Sequence, residues 1–223
     1  MAANGTYIQY GAGPSSCPEG WLNFDASPTL RLQRLPLIGP LIVPASQRFP
    51  AHARHGDIVA GLAVAPGSAD GIYASHVLEH LALADARRAM RNTLAMLKPG
   101  GVFRCIVPDL AERARRYLAE VAKGDPLASQ HFLEGSYLGR EARARGLVGR
   151  LREVLGGSAH LWMWDELSFR KELEDAGFVD IRRCAFGDAG DPMFARVEDR
   201  GRFVDQGFAP AMVELAFEAR RPG

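Results

Sequence analysis

Two short stretches carry residue types able to do chemistry. The first, S-H-V-L-E-H over 75–80, ends in H-x-x-E-H, a pattern in which two histidines on one helix face hold zinc beside a catalytic glutamate. That chemistry needs 76–80 to be helical and needs a third ligand from elsewhere. The upstream residues G-I-Y-A-S read as a strand, which puts His76 at the strand end or in its turn. Glu134, Glu141 and Glu153 are ordinary members of a charged helical region and identify no third ligand. The expectation is therefore no metal, with a zinc peptidase as a remote alternative.

The second stretch is G-A-G-P-S-S, in which Gly11 and Gly13 close a β-prone run. A dinucleotide loop has a third glycine opening a helix, and an acid about 20 residues on. Here Pro14 and the short run P-S-S-C-P-E-G leave little room for a helix before Asp25. A pyrophosphate site is poorly supported. A ligand with a ribose but no phosphate fits better, because glycines allow close approach and one carboxylate can accept from both ribose hydroxyls.

These residues need elements to position them. Strands are expected over 6–13, 21–25 and 71–78, with at best a short one in H-A-R-H-G-D-I. A helix over 84–97 places Ala86, Met90, Leu94 and Leu97 on one face, and Lys98-Pro99-Gly100-Gly101 stops it before a strand at 102–108. The text from Asp109 to about Gly157 is helical and arginine-rich, which reads as a solvated face. A helix over 164–178 has Asp165 as its N-cap and Gly177 past its end, and F-V-D-I-R-R-C-A-F and M-V-E-L-A-F-E-A-R give two closing strands. Strands alternating with helices imply an α/β domain with a mostly parallel sheet, whose ligands lie beyond the carboxyl ends of the strands.

Several stretches together resemble the class I S-adenosylmethionine-dependent methyltransferases, specifically the methyltransferase type 11 group. The fragment D-G-I-Y-A-S-H-V-L-E-H-L…M-L-K-P-G-G-V-F-R-C-I-V-P-D-L (70–110) is similar to that group's fourth strand, histidine-bearing turn, helix and fifth strand. Y-I-Q-Y-G-A-G-P-S-S-C-P-E-G-W-L-N-F-D-A-S-P resembles the variant first motif of predicted methyltransferases with a shortened first helix. H-L-W-M-W-D-E-L-S-F-R-K-E-L-E-D-A-G-F-V-D-I-R-R resembles their penultimate helix and strand.

The resemblance implies a Rossmann-like, mostly parallel seven-stranded sheet flanked by helices. It implies one domain over 1–223 with a helical cap insertion at about 110–157. The implied cofactor is S-adenosyl-L-methionine, with S-adenosyl-L-homocysteine as product. Gly11, Ala12 and Gly13 would lie under its methionine part, Asp25 would hold the ribose diol, and Asp57 and Ile58 would meet the adenine. Ala74 and Ser75 would run beside the methionine moiety. A methyl acceptor with a hydroxyl oxygen needs a base, and His80 stands where some small-molecule methyltransferases of this fold carry a catalytic histidine. His76 is expected to orient the turn and face substrate, with Glu79 polarising His80 or capping the next segment. Asp109, His160 and Trp162 would contact a small-molecule or glycan acceptor, and at least one of Trp162 and Trp164 belongs to the core. A cofactor-binding scaffold without turnover is the alternative in another class.

Bulk composition fits these readings. The chain has 223 residues, 47% of them apolar, and 27 Lys+Arg balance 26 Asp+Glu, so no nucleic-acid partner is expected. Cys17, Cys105 and Cys184 are too widely spaced for a disulfide framework or zinc cluster. With no signal-like N-terminal pattern, a cytoplasmic location is expected. The apolar segment 30–44 carries two arginines and three prolines, and it is shorter than the roughly 20 residues that span a bilayer. It reads first as a connector packed on the domain body, and second as a peripheral contact with a membrane or lipid-linked substrate. The oligomeric state is not readable.

Overall fold

The structure, a computed structural model, describes residues 5–36, 39–139, 159–205 and 211–223. Alternating side-chain direction along each strand explains its two layers. In β1 (Tyr7–Tyr10), Ile8 and Tyr10 enter one core and Tyr7 the other. In β4 (Ala69–Ser75), Ile72 and Ala74 oppose Tyr73. In β5 (Leu97–Val107), Phe103, Cys105 and Val107 oppose Val102 and Ile106. Both faces are buried, so these strands are nearly continuous apolar runs, as a covered parallel sheet requires.

The remaining strands are β2 (Leu22–Asp25), β3 (Arg54–His55), β6 (Val179–Arg183), β7 (Val204–Asp205), β8 (Met212–Val213) and β9 (Leu215–Arg220). Seven of them form one sheet in the order β3-β2-β1-β4-β5-β9-β6, parallel except where β9 runs antiparallel to β5 and β6. This is the expected mostly parallel, Rossmann-like sheet. The order reverses between β1 and β4, where ligands of such sheets bind. Two helices cover one face: α3 (Leu83–Met96) through Ala86, Ala89 and Met90, and α6 (Glu166–Asp175) through Phe169 and Leu173. Leu94 is only half-buried, and Thr93 takes the inward place expected for it. The Thr93 hydroxyl donates to the Ala89 carbonyl and lies 3.2 Å from the Tyr10 hydroxyl.

Several boundaries differ from expectation for identifiable reasons. Lys98-Pro99-Gly100-Gly101 belongs to β5, which starts at Leu97: Ala69 pairs with Leu97, Lys98 binds the Asp70 carboxylate at 2.7 Å, and Gly100 donates to the Arg221 carbonyl. The M-V-E-L-A-F-E-A-R run splits into β8 and β9 around Glu214, whose buried carboxylate binds Arg113. The helical text after Asp109 forms α4 (Leu110–Ala122) and α5 (Ala128–Gly135); the rest of the expected cap, 140–157, lies outside the described residues. Segment 30–44 contributes to α1 (Pro28–Gln33) and α2 (Gly39–Ile42), with α1 anchored by Leu30 against Phe49 and Ala53. No helix among the described residues is long and apolar enough to cross a membrane. The short α7 (Arg200–Phe203) precedes β7, and all three cysteines are free.

Asp165 caps α6 as expected. Its carboxylate accepts from Ser168 N at 2.8 Å, and the Ser168 hydroxyl accepts from Asp165 N, a reciprocal capping box. The Ser168 hydrogen bonds hold the Asp165 carboxyl below its usual value of 3.8. Asp165→Ala should therefore cost about 1 kcal/mol in urea melts at pH 7. A carboxyl depressed in the folded state stabilises above its unfolded pKa and loses that contribution as pH falls through the folded value. The advantage of Asp165 over Asp165→Asn should thus shrink in melts below about pH 4. Equal stability of Asp165→Ala and wild type at pH 7 would contradict this cap.

Candidate functional site

The carboxyl ends of β1, β2 and β4 converge on the glycine loop. Gly11 and Gly13 both have left-handed backbones, at φ +67° and +62°, which glycine adopts without strain. A Cβ on Gly11 would meet Val77 Cγ2 at 2.2 Å, so the loop lies directly against the turn after β4. A Cβ on Gly13 would meet nothing within 4 Å, so that glycine faces open space. Between them Ala12 is buried and donates to the Phe24 carbonyl at 3.2 Å, tying the loop to β2.

Asp25 ends β2 with a buried carboxylate that organises this corner. One oxygen accepts from Gly13 N at 2.9 Å and the other from Ser27 N at 2.7 Å. An ionised carboxylate has about four acceptor sites, so two remain for a ligand. The Asp25 carbonyl accepts from Gly56 N, which places Asp57 and Ile58 immediately beyond β3. Ile58 is buried and Asp57 exposed, its carboxylate accepting from Val59 N at 2.8 Å. Asn92 of α3 holds this loop through the Ile58 and Val59 carbonyls, a role sequence patterns had not flagged. Ala74 is buried, and the half-buried Ser75 turns its hydroxyl toward the buried Tyr73 hydroxyl on the same strand face. Open space at Gly13 and spare acceptor sites on Asp25 fit a ribose-bearing ligand that approaches the backbone closely.

The turn after β4 is not a helix, which removes the two-histidine clamp. His76 has φ +53°, outside the range that most side chains adopt, and only Leu78–His80 forms a short 3-10 turn. The His76 ring faces two acceptors: Nδ1 lies 3.1 Å from Glu79 Oε1, and Nε2 lies 2.9 Å from the Arg202 carbonyl. Both nitrogens must donate, which requires the doubly protonated ring. Burial opposes that charge, but the hydrogen bond and charge of Glu79 outweigh it and raise the pKa. Glu79 thus serves His76, where the sequence pointed toward His80. Both His76 nitrogens are taken within the protein.

His80 differs in its bonding. Its Nδ1 lies 3.2 Å from the Ala159 carbonyl, an acceptor only, so in the neutral ring Nδ1 carries the proton and Nε2 the lone pair. His160 packs edge-on to His80 with ring centroids 5.0 Å apart, and the Tyr137 ring lies equally close on His160. Burial pushes the His160 pKa down to about 4, so its ring is neutral near pH 7. The Glu79 carbonyl accepts from Leu161 N at 2.7 Å and Trp162 N at 3.2 Å, which pins the 159–162 segment on this turn. Those backbone bonds hold the segment carrying His160 and Trp162 against the turn that carries His80, although nothing in the spacing dictates it.

The aromatic and acidic candidates separate. Trp162 is 43% exposed, whereas Trp164 is 1% exposed and packs on Phe169 in the core. Asp109 is buried with both oxygens engaged: Oδ1 caps α4 through Ala111 N and Glu112 N, and Oδ2 accepts from Arg183. The pair Arg113–Glu214, also unforeseen, supports it, since Glu214 accepts from Asp109 N as well as from the guanidinium.

Comparison with known proteins places this geometry. The family described as methyltransferase domain matches residues 10–182. No curated protein sequence matches the chain. Among solved structures, the chain is similar to one in the complex between the Haloferax volcanii Trm112 methyltransferase activator and the putative methyltransferase, with 14% identity, coverage of 100% of this chain and 84% of that one, and a TM-score of 0.52. It is also similar to a SAM dependent methyltransferase from Archaeoglobus fulgidus, with 11% identity, coverage of 98% and 87%, and a TM-score of 0.50. At such identities the likeness is one of fold.

The contact between the glycine loop and the β4 turn is directly testable. Gly11→Ala should lower the melting temperature through both its left-handed backbone and the overlap with Val77, and Val77→Ala added to it should restore part of the loss. Gly13→Ala, with backbone strain alone, should cost only about 1–2 kcal/mol. Equal effects of the two alanines, with no rescue by Val77→Ala, would contradict this packing.

Proposed function

This chain belongs to the methyltransferase domain family and is a class I S-adenosylmethionine-dependent methyltransferase, and on that premise we propose that it methylates a hydroxyl oxygen of a small-molecule or glycan acceptor. S-adenosylmethionine, when bound, supplies a methyl group already activated by the positive sulfur, which leaves the protein to align the reactants, exclude water and remove the acceptor proton.

The proposed cofactor-binding residues are Gly11, Ala12, Gly13, Asp25, Asp57, Ile58, Ala74 and Ser75. Asp25 presents its remaining acceptor sites to the ribose diol, the open face of Gly13 admits the ligand to the backbone, and Ile58 gives an apolar wall beside Asp57. On the acceptor side, His80 takes the hydroxyl proton at Nε2. The observation that carries this reading is the His80 hydrogen bond to the Ala159 carbonyl, which sets the tautomer and leaves the second nitrogen basic. The exposed Trp162 indole, tied to the same turn through the Glu79 carbonyl, offers a face on which a sugar ring would stack. His76, charged and doubly bonded, holds Glu79 and so the turn. Asp109 acts by fixing the start of α4, and α4 and α5 contribute to a cap over the acceptor within one domain.

His80→Ala should abolish formation of S-adenosylhomocysteine with hydroxylated acceptors while leaving S-adenosylhomocysteine affinity within about twofold of wild type by calorimetry. Asp25→Ala should instead weaken that affinity at least tenfold. Turnover unchanged in His80→Ala would remove the base from this account, and unchanged affinity in Asp25→Ala would remove the ribose contact.

A further inference from the structure

We propose that Glu79, His80 and His160 together bind one divalent transition-metal ion of the zinc class. One ligand atom from each of the three side chains lies within 4.8 Å of the others. Zinc bonds to imidazole nitrogen and carboxylate oxygen are about 2.0–2.2 Å long, so rotations of about an ångström would close the set.

Two further observations point to a ligand there. Glu79 is fully buried and its Oε2 has no partner; His160 is 8% exposed and its Nδ1 has none. Buried polar atoms are almost always satisfied, and two orphans within one three-residue cluster mark a missing ligand common to both. The outer contacts are those of a metal centre. His80 donates through Nδ1 to the Ala159 carbonyl and so keeps Nε2 for an ion. His76 donates to Glu79 Oε1 and leaves Oε2. Tyr137 packs on the His160 ring, and its carbonyl accepts from His160 N. Each of the three candidate ligands is thereby held from outside the cluster.

The donor set selects the ion class. Two imidazoles and one carboxylate suit zinc and its first-row neighbours, whereas magnesium and calcium prefer oxygen donors. Three protein ligands leave at least one coordination position for an exogenous oxygen. A second trio, Glu120, Asp125 and His131, lacks this support, because its histidine already bonds to Glu120 and it is not buried.

The purpose of the ion rests on the methyltransferase reading, although its binding does not. With an ion bound, His80 would serve as a ligand and the ion would supply Lewis-acid polarisation of an acceptor oxygen whose proton passes to solvent; the ion-free protein retains His80 as the base. Turnover of His80 variants alone therefore cannot separate the two states, and binding is the informative readout.

The test uses tag-free full-length protein, stripped with a chelator and titrated with Zn(II), Co(II) and Mg(II) by calorimetry and, for Co(II), visible absorption. The expected result is one equivalent of Zn(II) and of Co(II) per chain and no measurable Mg(II). Glu79→Gln and His160→Ala should each weaken Zn(II) at least tenfold, while Cys17→Ser leaves it unchanged. Circular dichroism melts confirm folding, and His160→Asn replaces any variant that does not fold. No stoichiometric ion, or Zn(II) affinity indifferent to the His160 substitutions, would overturn the proposal. A parallel S-adenosylhomocysteine titration keeps the readings apart: intact cofactor binding without metal sinks only this inference, and metal binding without cofactor sinks the methyltransferase assignment.

Discussion

A buried carboxylate, Glu79, is the constraint on which the turn after β4, the proposed acceptor side, depends. A carboxylate removed from water needs a countercharge and hydrogen-bond partners, or it costs several kcal/mol. His76 supplies the countercharge, and it does so from a left-handed backbone at the end of β4. The Glu79 main chain meanwhile accepts two amides from Leu161 and Trp162, so the residue joins the β4 turn to a segment remote in sequence. His80 and His160 face each other because of that junction. A change at Glu79 would therefore disturb charge, turn geometry and the placement of both rings together.

The proposed cofactor side rests on a parallel arrangement. Asp25 accepts backbone amides from Gly13 and Ser27, and its own carbonyl receives the amide of Gly56. One residue thus fixes the glycine loop, the exit from β2 and the approach to Asp57. No long helix follows β1, and this carboxylate gives the loop the organisation that a helix N-terminus provides elsewhere. Both hubs sit at the carboxyl edge of the sheet, on either side of the reversal in strand order, and Val77 against Gly11 is where they touch.

Much of this was legible in the residues themselves. Burial of both faces along β1, β4 and β5 produces apolar runs, and the Asp165 cap and Gly177 stop mark α6 plainly. The strand before His76 is readable enough to reject a helical histidine pair. Other features depend on contacts between distant segments and leave no local mark. No spacing rule connects His80 with His160. The break at Glu214 is equally silent, since it exists for a guanidinium, Arg113, on another element. Asp109 shows the converse: its place after β5 suggests a substrate contact, while its oxygens are occupied by α4 amides and Arg183.

The central claim is that the carboxyl edge between the glycine loop, Asp25 and the β4 turn holds the cofactor. Backbone amide NMR of the labelled protein, titrated with S-adenosylhomocysteine, tests it most directly. The account predicts saturable shifts concentrated at Gly11, Gly13, Asp25, Ser75 and Val77, with α6 and the β6–β9 edge little changed. Saturable binding whose shifts lie elsewhere and spare those five residues would contradict it.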